Sequence, residues 1–316
     1  MSEITNPQLQ ELFTTIQKGY TMPIRVEIDG PASGVLVHSQ SDEQLAPNGD
    51  LVVHVSDTTD VDYTLSHELL HMYFAAGGYP QLEYHLLTGT PEIDRQHYAV
   101  ATALSSAAIH IVIAAWQRAH DLLGANQEAK LIKGFEETLS PEPAAGDRLL
   151  IYRIVSLLDH MTLFDNGGAH DQRTAWADKF PRAYKIASEL YDTLTVKSLD
   201  TPFAYRRALV NVFGRFNALM TANGYQPLDL AEYVTVPPVL SARQLRLSLN
   251  QVFELKHSAY RNEATKQEAY VALGKGDGQN AFVLPLKDTT PAAFQTLYQR
   301  PVGELLKEFN CDYSMR

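Results

Sequence analysis

The stretch SHELLHMY at residues 66–73 places His67 and His71 four positions apart, with Glu68 directly after the first histidine. Residues four apart lie on one face of a helix, so a helix here would present both imidazoles to the same side. Apolar residues at helical spacing support a helix, and they form a stripe beside the two histidines: Leu65, Leu69, Met72 and Ala76. Two imidazoles on one helix face match the coordination preferences of a metal ion such as zinc.

The glutamate between the two histidines adds a chemical function to this pattern. A catalytic zinc site keeps one coordination position open for water and lowers the pKa of that water towards neutrality. We therefore predict Zn²⁺ as the cofactor, His67 and His71 as ligands, and Glu68 as the general base. The alternative is a pair of surface histidines, but both lie off the apolar stripe on one neighbouring face, which favours a metal site.

The arrangement of His67, Glu68 and His71 resembles the active-site signature of the zincin metallopeptidases. The resemblance covers residues 25–116, where a short sheet, the motif helix and a long second helix look most like the compact intracellular ImmA/IrrE type. It implies an α+β fold in which the motif helix lies behind a small sheet. It also implies a third metal ligand from a helix downstream, although the Asn that the ImmA/IrrE pattern carries on that helix is missing here.

Three residues at the start of the long helix are candidates for the third ligand: Glu92, Asp94 and His97. We favour His97, because it shares the apolar face of this helix with Ile93 and Val100 and must point inward. Asp94 is the first alternative and Glu92 the second, and Asp94 can also accept a hydrogen bond from a ligating histidine. Each carboxylate has a structural interpretation as well, since acidic side chains stabilise a helix N-terminus.

The remaining histidines are interpreted as structural, because a lone histidine on an apolar face is more often a buried core residue than a ligand. They are His38, His54, His110 and His120. A loop at residues 165–168, flanked by His160 and His170, is a further segment that can approach the cleft.

Tyrosines are the candidates to donate a hydrogen bond to the oxyanion formed when a peptide carbonyl is attacked. We select Tyr63, Tyr79 and Tyr98, which lie near the motif in sequence. No Gly-x-Ser-x-Gly turn is present, and the single cysteine, Cys311, has no adjacent histidine. A serine or cysteine hydrolase is therefore not indicated.

Composition excludes several other classes of function. The chain has 316 residues, 45% of them hydrophobic, and a net charge of −11, which argues against a nucleic-acid surface. One cysteine and an N-terminus without a signal-peptide pattern predict a cytoplasmic protein. The apolar run at 100–116 is too short for a membrane span and predicts a buried helix.

The first part of the chain predicts a helix at 6–18, three strands at 24–28, 34–38 and 51–55, the motif helix beginning within 57–62 and ending at Gly77-Gly78, and the long helix at 91–123. If 51–55 is the edge strand, an extended peptide can pair with it. A capping box from Thr59 to Asp62 is expected at the start of the motif helix.

The second part predicts helices at 149–161, 171–194, 201–223 and 242–260, a hairpin at 269–273 and 281–286, and two short closing helices. The Pro-rich residues 136–147 predict a linker between two units. We therefore expect a metallopeptidase domain at 1–135 and a mostly helical domain at 148–316.

Together these features predict a zinc metallopeptidase that acts on a peptide or protein substrate, without nucleic-acid or membrane partners. The alternative is a regulatory or protein-binding module that keeps the fold and the metal but hydrolyses nothing.

Overall fold

The computed structural model describes residues 4–164, 172–286 and 288–316. It is an α+β protein, about 53% helical and 15% strand. The helices are α1 Pro7–Gly19, α2 Val61–Ala76, α3 Pro91–Ala119, α4 Ala125–Thr138, α5 Leu150–Phe164, α6 Arg173–Lys179, α7 Pro181–Thr195, α8 Pro202–Ala222, α9 Leu230–Tyr233, α10 Ala242–Leu245, α11 Leu249–Val252, α12 Pro291–Gln299 and α13 Val302–Glu308. The strands are β1 Ile24–Ile28, β2 Ser41–Leu45, β3 Leu51–Val55, β4 Leu86–Leu87, β5 Val239–Leu240, β6 Phe253–Asn262, β7 Glu268–Gly274, β8 Asn280–Leu284 and β9 Ser314–Met315.

The chain forms two compact units, each built from two segments. The first unit comprises Met1–Gly77 and Ile109–Ser188, and the second comprises Gly78–Ala108 and Glu189–Arg316. Helices α3 and α7 each pass from one unit into the other. This division differs from the predicted one, which placed a single boundary at residues 136–147.

The Pro-rich stretch at 136–147 is part of the first unit, because buried side chains hold it there. The guanidinium of Arg153 donates hydrogen bonds to the backbone carbonyls of Ser140, at 3.2 Å, and Pro141, at 3.3 Å. Glu142 accepts from the backbone N–H of Ala183, at 3.0 Å, in the first turn of α7. A glutamate at that position satisfies N–H groups that a helix start leaves unpaired.

The first unit contains the predicted three-stranded sheet, in the order β1-β3-β2. Strands β1 and β3 are parallel, and β2 is antiparallel to β3. The predicted strand at 34–38 is wrong: His38–Gln40 form a 3₁₀ turn, and the strand follows it. The N–H of Leu36 donates to the carbonyl of Lys130 in α4, so this residue pairs with a helix instead of a strand. Strand β3 is central, so the condition for peptide pairing with 51–55, an edge position, is not met, and β2 is an edge strand.

Helix α2 forms as the motif predicts and buries most of its residues. Its cap is Asp60, which accepts from the N–H of Tyr63, and the predicted capping box is absent. The hydroxyl of Thr59 instead accepts from the N–H of Gly34, at 2.8 Å. The chain leaves the helix through Gly78, whose φ of +82° is a conformation that favours glycine.

Helix α3 is long and apolar, and among the described residues it is the one helix whose length and composition would suffice to cross a membrane. The core helix of a globular protein meets the same criterion. Three polar side chains of α3, those of His97, His110 and Gln117, are buried. Gln117 donates to the hydroxyl of Ser66, at 2.8 Å, and this bond joins α3 to α2.

The second unit contains a four-stranded antiparallel sheet in the order β4-β6-β7-β8. The hairpin of β7 and β8 was predicted, but the helix predicted at 242–260 is wrong. Ser241 caps α10 as a helix start should, yet the helix lasts about one turn, and β6 begins at Phe253. The C-terminal half is therefore helical only in part.

Candidate metal centre

Three imidazole nitrogens converge between α2 and α3 within the first unit. The Nε2 atom of His71 lies 3.2 Å from Nε2 of His67 and 3.2 Å from Nε2 of His110. Nitrogen ligands about 2.0–2.1 Å from a tetrahedral zinc ion are separated by about 3.3 Å. Both distances from His71 therefore match the spacing of ligands at a tetrahedral metal site.

His110 occupies the position that the sequence interpretation gave to His97. Both residues belong to α3, and thirteen positions separate them. Thirteen residues of an α-helix rise by about 20 Å, so the two side chains cannot bind one ion. The structure therefore gives no support to His97 as the third ligand, and it brings His110, which the sequence analysis interprets as structural, beside His71 instead.

The three residues proposed for the third ligand have other roles in the second unit. His97 packs its ring on Tyr233, with 4.3 Å between centroids. Each of the three has a polar contact near the start of α3: His97 Nδ1 with the carbonyl of Ile93 (2.8 Å), Asp94 with the N–H of Thr88 (2.7 Å), and Glu92 with Arg95 (2.9 Å).

The carboxylate of Asp159, on α5, contacts two of the histidines in the first unit. Its Oδ1 accepts from Nδ1 of His110, at 2.5 Å, and its Oδ2 lies 3.2 Å from Nδ1 of His38. A carboxylate on the far nitrogen of a histidine is the usual device that fixes the orientation of a metal ligand. Sequence reasoning missed Asp159, although one acidic residue inside the apolar run of α5 was an available signal.

His38 lies beside the three converging histidines. Its ring stacks on His67, with 4.7 Å between centroids, and meets His110 edge-on at 4.6 Å. One ring nitrogen each of His38, His67 and His110 lie within 4.8 Å of one another. This set overlaps the first but is wider than the 3.2 Å spacing around His71. His67, His71 and His110 are therefore the better match to one ion, with His38 adjacent.

Electrostatics keeps the three converging imidazoles neutral. Burial lowers the pKa of His67 well below its ordinary value, and burial followed by repulsion from His110 lowers the pKa of His71 to about 3. Burial also lowers the pKa of His110, against the attraction of Asp159. Burial would raise the pKa of Asp159, but His110 and His38 hold it well below the ordinary range. Neutral imidazole is the form that binds a metal.

Glu68 is held next to the histidines by the edge strand. Its side chain is 9% exposed, and burial raises its pKa. The hydroxyl of Ser41, the first residue of β2, donates to Oε1 of Glu68 at 2.7 Å. The neutral hydroxyl of Ser41 thus fixes one carboxylate oxygen of Glu68. The second carboxylate oxygen stays available for proton transfer.

Of the three tyrosines selected from the sequence, only Tyr63 belongs to the same unit as the histidine cluster. Its ring centroid is 6.3 Å from that of His67, and its buried hydroxyl has no hydrogen-bond partner among the described residues. In the second unit, Tyr79 donates to the carbonyl of Leu199 at 3.1 Å, and Tyr98 is 55% exposed.

The other histidines have partners that agree with a structural interpretation. His54 on β3 contacts Asp29, at 3.0 Å, and His120 stacks on Trp116, with 3.6 Å between centroids. His160 packs on Phe135 inside the first unit. The loop at 165–168 and His170 lie outside the described residues.

The candidate site therefore rests on the chain's own geometry: three converging nitrogens, one carboxylate that orients His110 and contacts His38, and a second carboxylate beside them. No protein-family model, curated protein or solved structure matches this chain.

Proposed function

We propose that this protein is a zinc-dependent metallopeptidase, in which His67, His71 and His110 hold the metal and Glu68 is the general base. The observation that carries the proposal is that Nε2 of His71 lies 3.2 Å from Nε2 of both His67 and His110, with a buried glutamate one residue from His67. The zincin resemblance of residues 66–73 supports it independently.

The donor atoms fit zinc better than an oxygen-seeking ion. Calcium and magnesium take oxygen ligands, whereas zinc is bound by imidazole. The Nδ1–H of His110 is donated to Asp159, so a neutral His110 points a lone pair at His71. One hydrogen on Nε2 of His71 can be donated fully to His67 or to His110, but not to both. A cation between the three nitrogens would accept the lone pair of each.

In the proposed reaction, Glu68 takes a proton from the attacking water and later delivers it to the leaving amine. When bound, zinc would lower the pKa of that water and polarise the peptide carbonyl. Burial raises the pKa of Glu68, which brings the carboxyl closer to the operating pH and makes it effective in both directions of transfer. Ser41 orients the carboxylate by its hydrogen bond to Oε1.

The edge strand β2 is the proposed binding place for a peptide substrate. It pairs with β3 on one side, and an extended peptide can add to its other side through main-chain hydrogen bonds. Ser41 opens β2 and contacts Glu68, so a peptide paired along this strand would run towards the catalytic carboxylate. The acidic net charge of −11 favours a peptide or protein over nucleic acid as the partner.

A non-catalytic role is the second candidate, and His38 is the observation that favours it. A fourth imidazole beside three others would complete a closed site, and closed four-ligand zinc sites are structural. Hydrolysis by the purified protein separates the two candidates.

Metal analysis of protein purified without a histidine tag tests the site. We expect one zinc ion per chain and a lower melting temperature after chelation, because metal binding adds to folding free energy. Absence of a stoichiometric transition metal, together with no effect of the chelator, would refute the proposal.

Replacement of Glu68 tests its role as the general base. Glu68→Gln should keep the zinc and lower the hydrolysis rate by ~10²- to 10⁴-fold, the usual contribution of a general base. Glu27→Gln, at an exposed position of β1, serves as the matched control and should hydrolyse at the wild-type rate. Substrates are found by incubating each protein with a soluble extract of its own cells and sequencing new N-termini. Termini that appear equally with Glu68→Gln would contradict the assignment.

A further inference from the structure

The carboxylate of Asp159 contacts two imidazoles, one on each oxygen. Oδ1 accepts from Nδ1 of His110, and Oδ2 lies 3.2 Å from Nδ1 of His38. An ionised carboxylate only accepts hydrogen bonds, so both imidazoles turn an Nδ1–H towards it. In the neutral ring, Nε2 then carries a lone pair, and this holds for His38 as it does for His110.

Nε2 of His38 is a buried polar atom, in a ring whose pKa burial lowers and Asp159 raises, with a net increase. This nitrogen has no hydrogen-bond partner among the described residues. A buried acceptor that lacks a partner costs about 1–3 kcal/mol, so such atoms usually have a ligand, a water or a function. The ring of His38 contacts the rings of both His67 and His110, which places the orphan nitrogen at the metal centre.

We propose that His38 is a fourth, displaceable ligand of the metal, bound in the resting protein and released when water or a substrate oxygen takes its place. This inference rests on the metal site of the proposed function and concerns its regulation. His38 shares with His110 a carboxylate on Nδ1, the arrangement typical of a ligating histidine, and its Nε2 has no hydrogen-bond partner among the described residues.

The location of His38 makes it the ligand that can leave. His67 and His71 are on α2 and His110 is on α3, whereas His38 belongs to a three-residue 3₁₀ turn. One ring nitrogen each of His38, His67 and His110 lie within 4.8 Å of one another, at most about 1.5 Å wider than ligand spacing at a tetrahedral zinc ion, so His38 would bind after a shift of its turn. A short turn can make such a shift without moving either helix.

The same segment also controls the base. Three residues after His38, Ser41 donates to Glu68. The chain is anchored before His38, where the N–H of Leu36 donates to the carbonyl of Lys130 in α4 at 3.2 Å. His38 would therefore leave the metal while the hydrogen bonds on both sides of it stay in place. Ser41 would still bind Glu68, and the coordination position beside Glu68 would become free for water.

The experiment counts the histidines bound to the metal in the untagged, full-length protein. X-ray absorption at the zinc edge detects each imidazole by its multiple scattering, and we expect four in the wild type and three plus one oxygen in His38→Ala. Zinc affinity in a chelator competition should fall by at least ~10-fold in this variant, the lower end of losses at metal sites. His54→Ala is the control, since His54 contacts Asp29 and not the cluster, and it should keep four imidazoles and full affinity.

Three imidazoles plus oxygen in the wild type would overturn the inference and leave the metallopeptidase proposal intact. Unchanged zinc affinity in His38→Ala with a reduced hydrolysis rate would also overturn it, because His38 would then act on the substrate. Absence of zinc from the wild type would overturn both. The wild-type spectrum requires no variant, so poor folding of His38→Ala does not remove the test.

Discussion

Asp159 accepts a hydrogen bond from Nδ1 of His110 at 2.5 Å, although 49 positions of sequence separate the two residues. This bond turns Nε2 of His110 towards the two histidines of α2. Because burial alone would raise the pKa of Asp159, a carboxylate held ionised here depends on the imidazoles around it. The pair thus links α5 to the candidate metal centre.

Asp159→Asn should weaken zinc binding by ~10- to 100-fold, the range for loss of a group that orients a ligand. Asparagine has one acceptor oxygen and cannot serve both Nδ1–H groups. Chelator competition measures the change. The control is Asp29→Asn, which removes the partner of His54 in a similar His–Asp pair away from the cluster. An equal loss of zinc affinity in both variants would mean that Asp159 contributes only its negative charge and does not orient His110.

His110→Ala and His97→Ala separate the two assignments of the third ligand. His110→Ala should lose stoichiometric zinc, because it removes one of three nitrogens at tetrahedral spacing. His97→Ala should keep the zinc and lose stability, because its buried ring packs on Tyr233. Metal content and thermal unfolding of both variants check the prediction. Zinc lost with His97→Ala and kept with His110→Ala would restore the original choice.

The sequence predicted those parts of the site that depend on local spacing. His67, Glu68 and His71 lie within one helical turn, so periodicity alone brings them together. His110 lies 39 positions after His71, and its approach depends on how α3 packs against α2. The ring of His38 lies beside the cluster because residues 38–40 form a turn. The alternation of Val35 and Val37 predicts a strand there instead.

The difference between local and long-range contacts also explains where the predicted fold is wrong. Strand β1 is predictable because its residues alternate and Asp29-Gly30 follows, and β3 because it follows the turn signal Asn48-Gly49. Strand β6 was read as helix because Ser241 and the leucines after it have helical spacing, and nothing local marks the change at Phe253. Pairing with β7 decides its conformation, and that partner lies later in the chain.

Gly134→Ala should destabilise the protein and disturb the segment that carries His38. A Cβ atom at Gly134 in α4 would lie 2.4 Å from the carbonyl oxygen of Leu36 and 2.7 Å from Cγ1 of Val37. Backbone must move to admit it, and overpacking of this kind costs ~1–3 kcal/mol. Zinc affinity should fall as well, because His38 directly follows Val37. Chemical denaturation and chelator competition measure the two effects.

Gly214→Ala is the matched control for this change. Gly214 is also helical, in α8, and a Cβ there meets nothing within 4 Å. Alanine should stabilise that helix by ~0.5–1 kcal/mol through its higher propensity. If Gly134→Ala stabilised the protein by a similar amount, the close approach of α4 to the 36–38 segment would be refuted.

Glu232 in the second unit predicts a loss of stability in acid. Burial would raise the pKa of this carboxyl, but hydrogen bonds from Lys256, from the hydroxyl of Ser258 at 2.6 Å and from the N–H of Ala259 at 3.0 Å outweigh burial and lower it. A carboxyl whose folded pKa is depressed contributes stability above its unfolded pKa of about 4.3 and loses it as the pH falls through the folded value. The loss is therefore expected below about pH 4.3 and is complete once the folded carboxyl is protonated.

Glu232→Gln should remove this contribution, because the amide cannot bind Lys256 as a carboxylate does. The variant should be less stable than the wild type by ~1–3 kcal/mol at pH 7, as expected for hydrogen bonds to a charged group. The difference should narrow as the wild-type carboxyl is protonated below about pH 4.3. Urea unfolding at a series of pH values measures it, with Glu254→Gln at an exposed position of β6 as the control. A difference that stays constant from pH 7 to the acid end of the series would show that Glu232 stabilises the unit by packing and not by its charge.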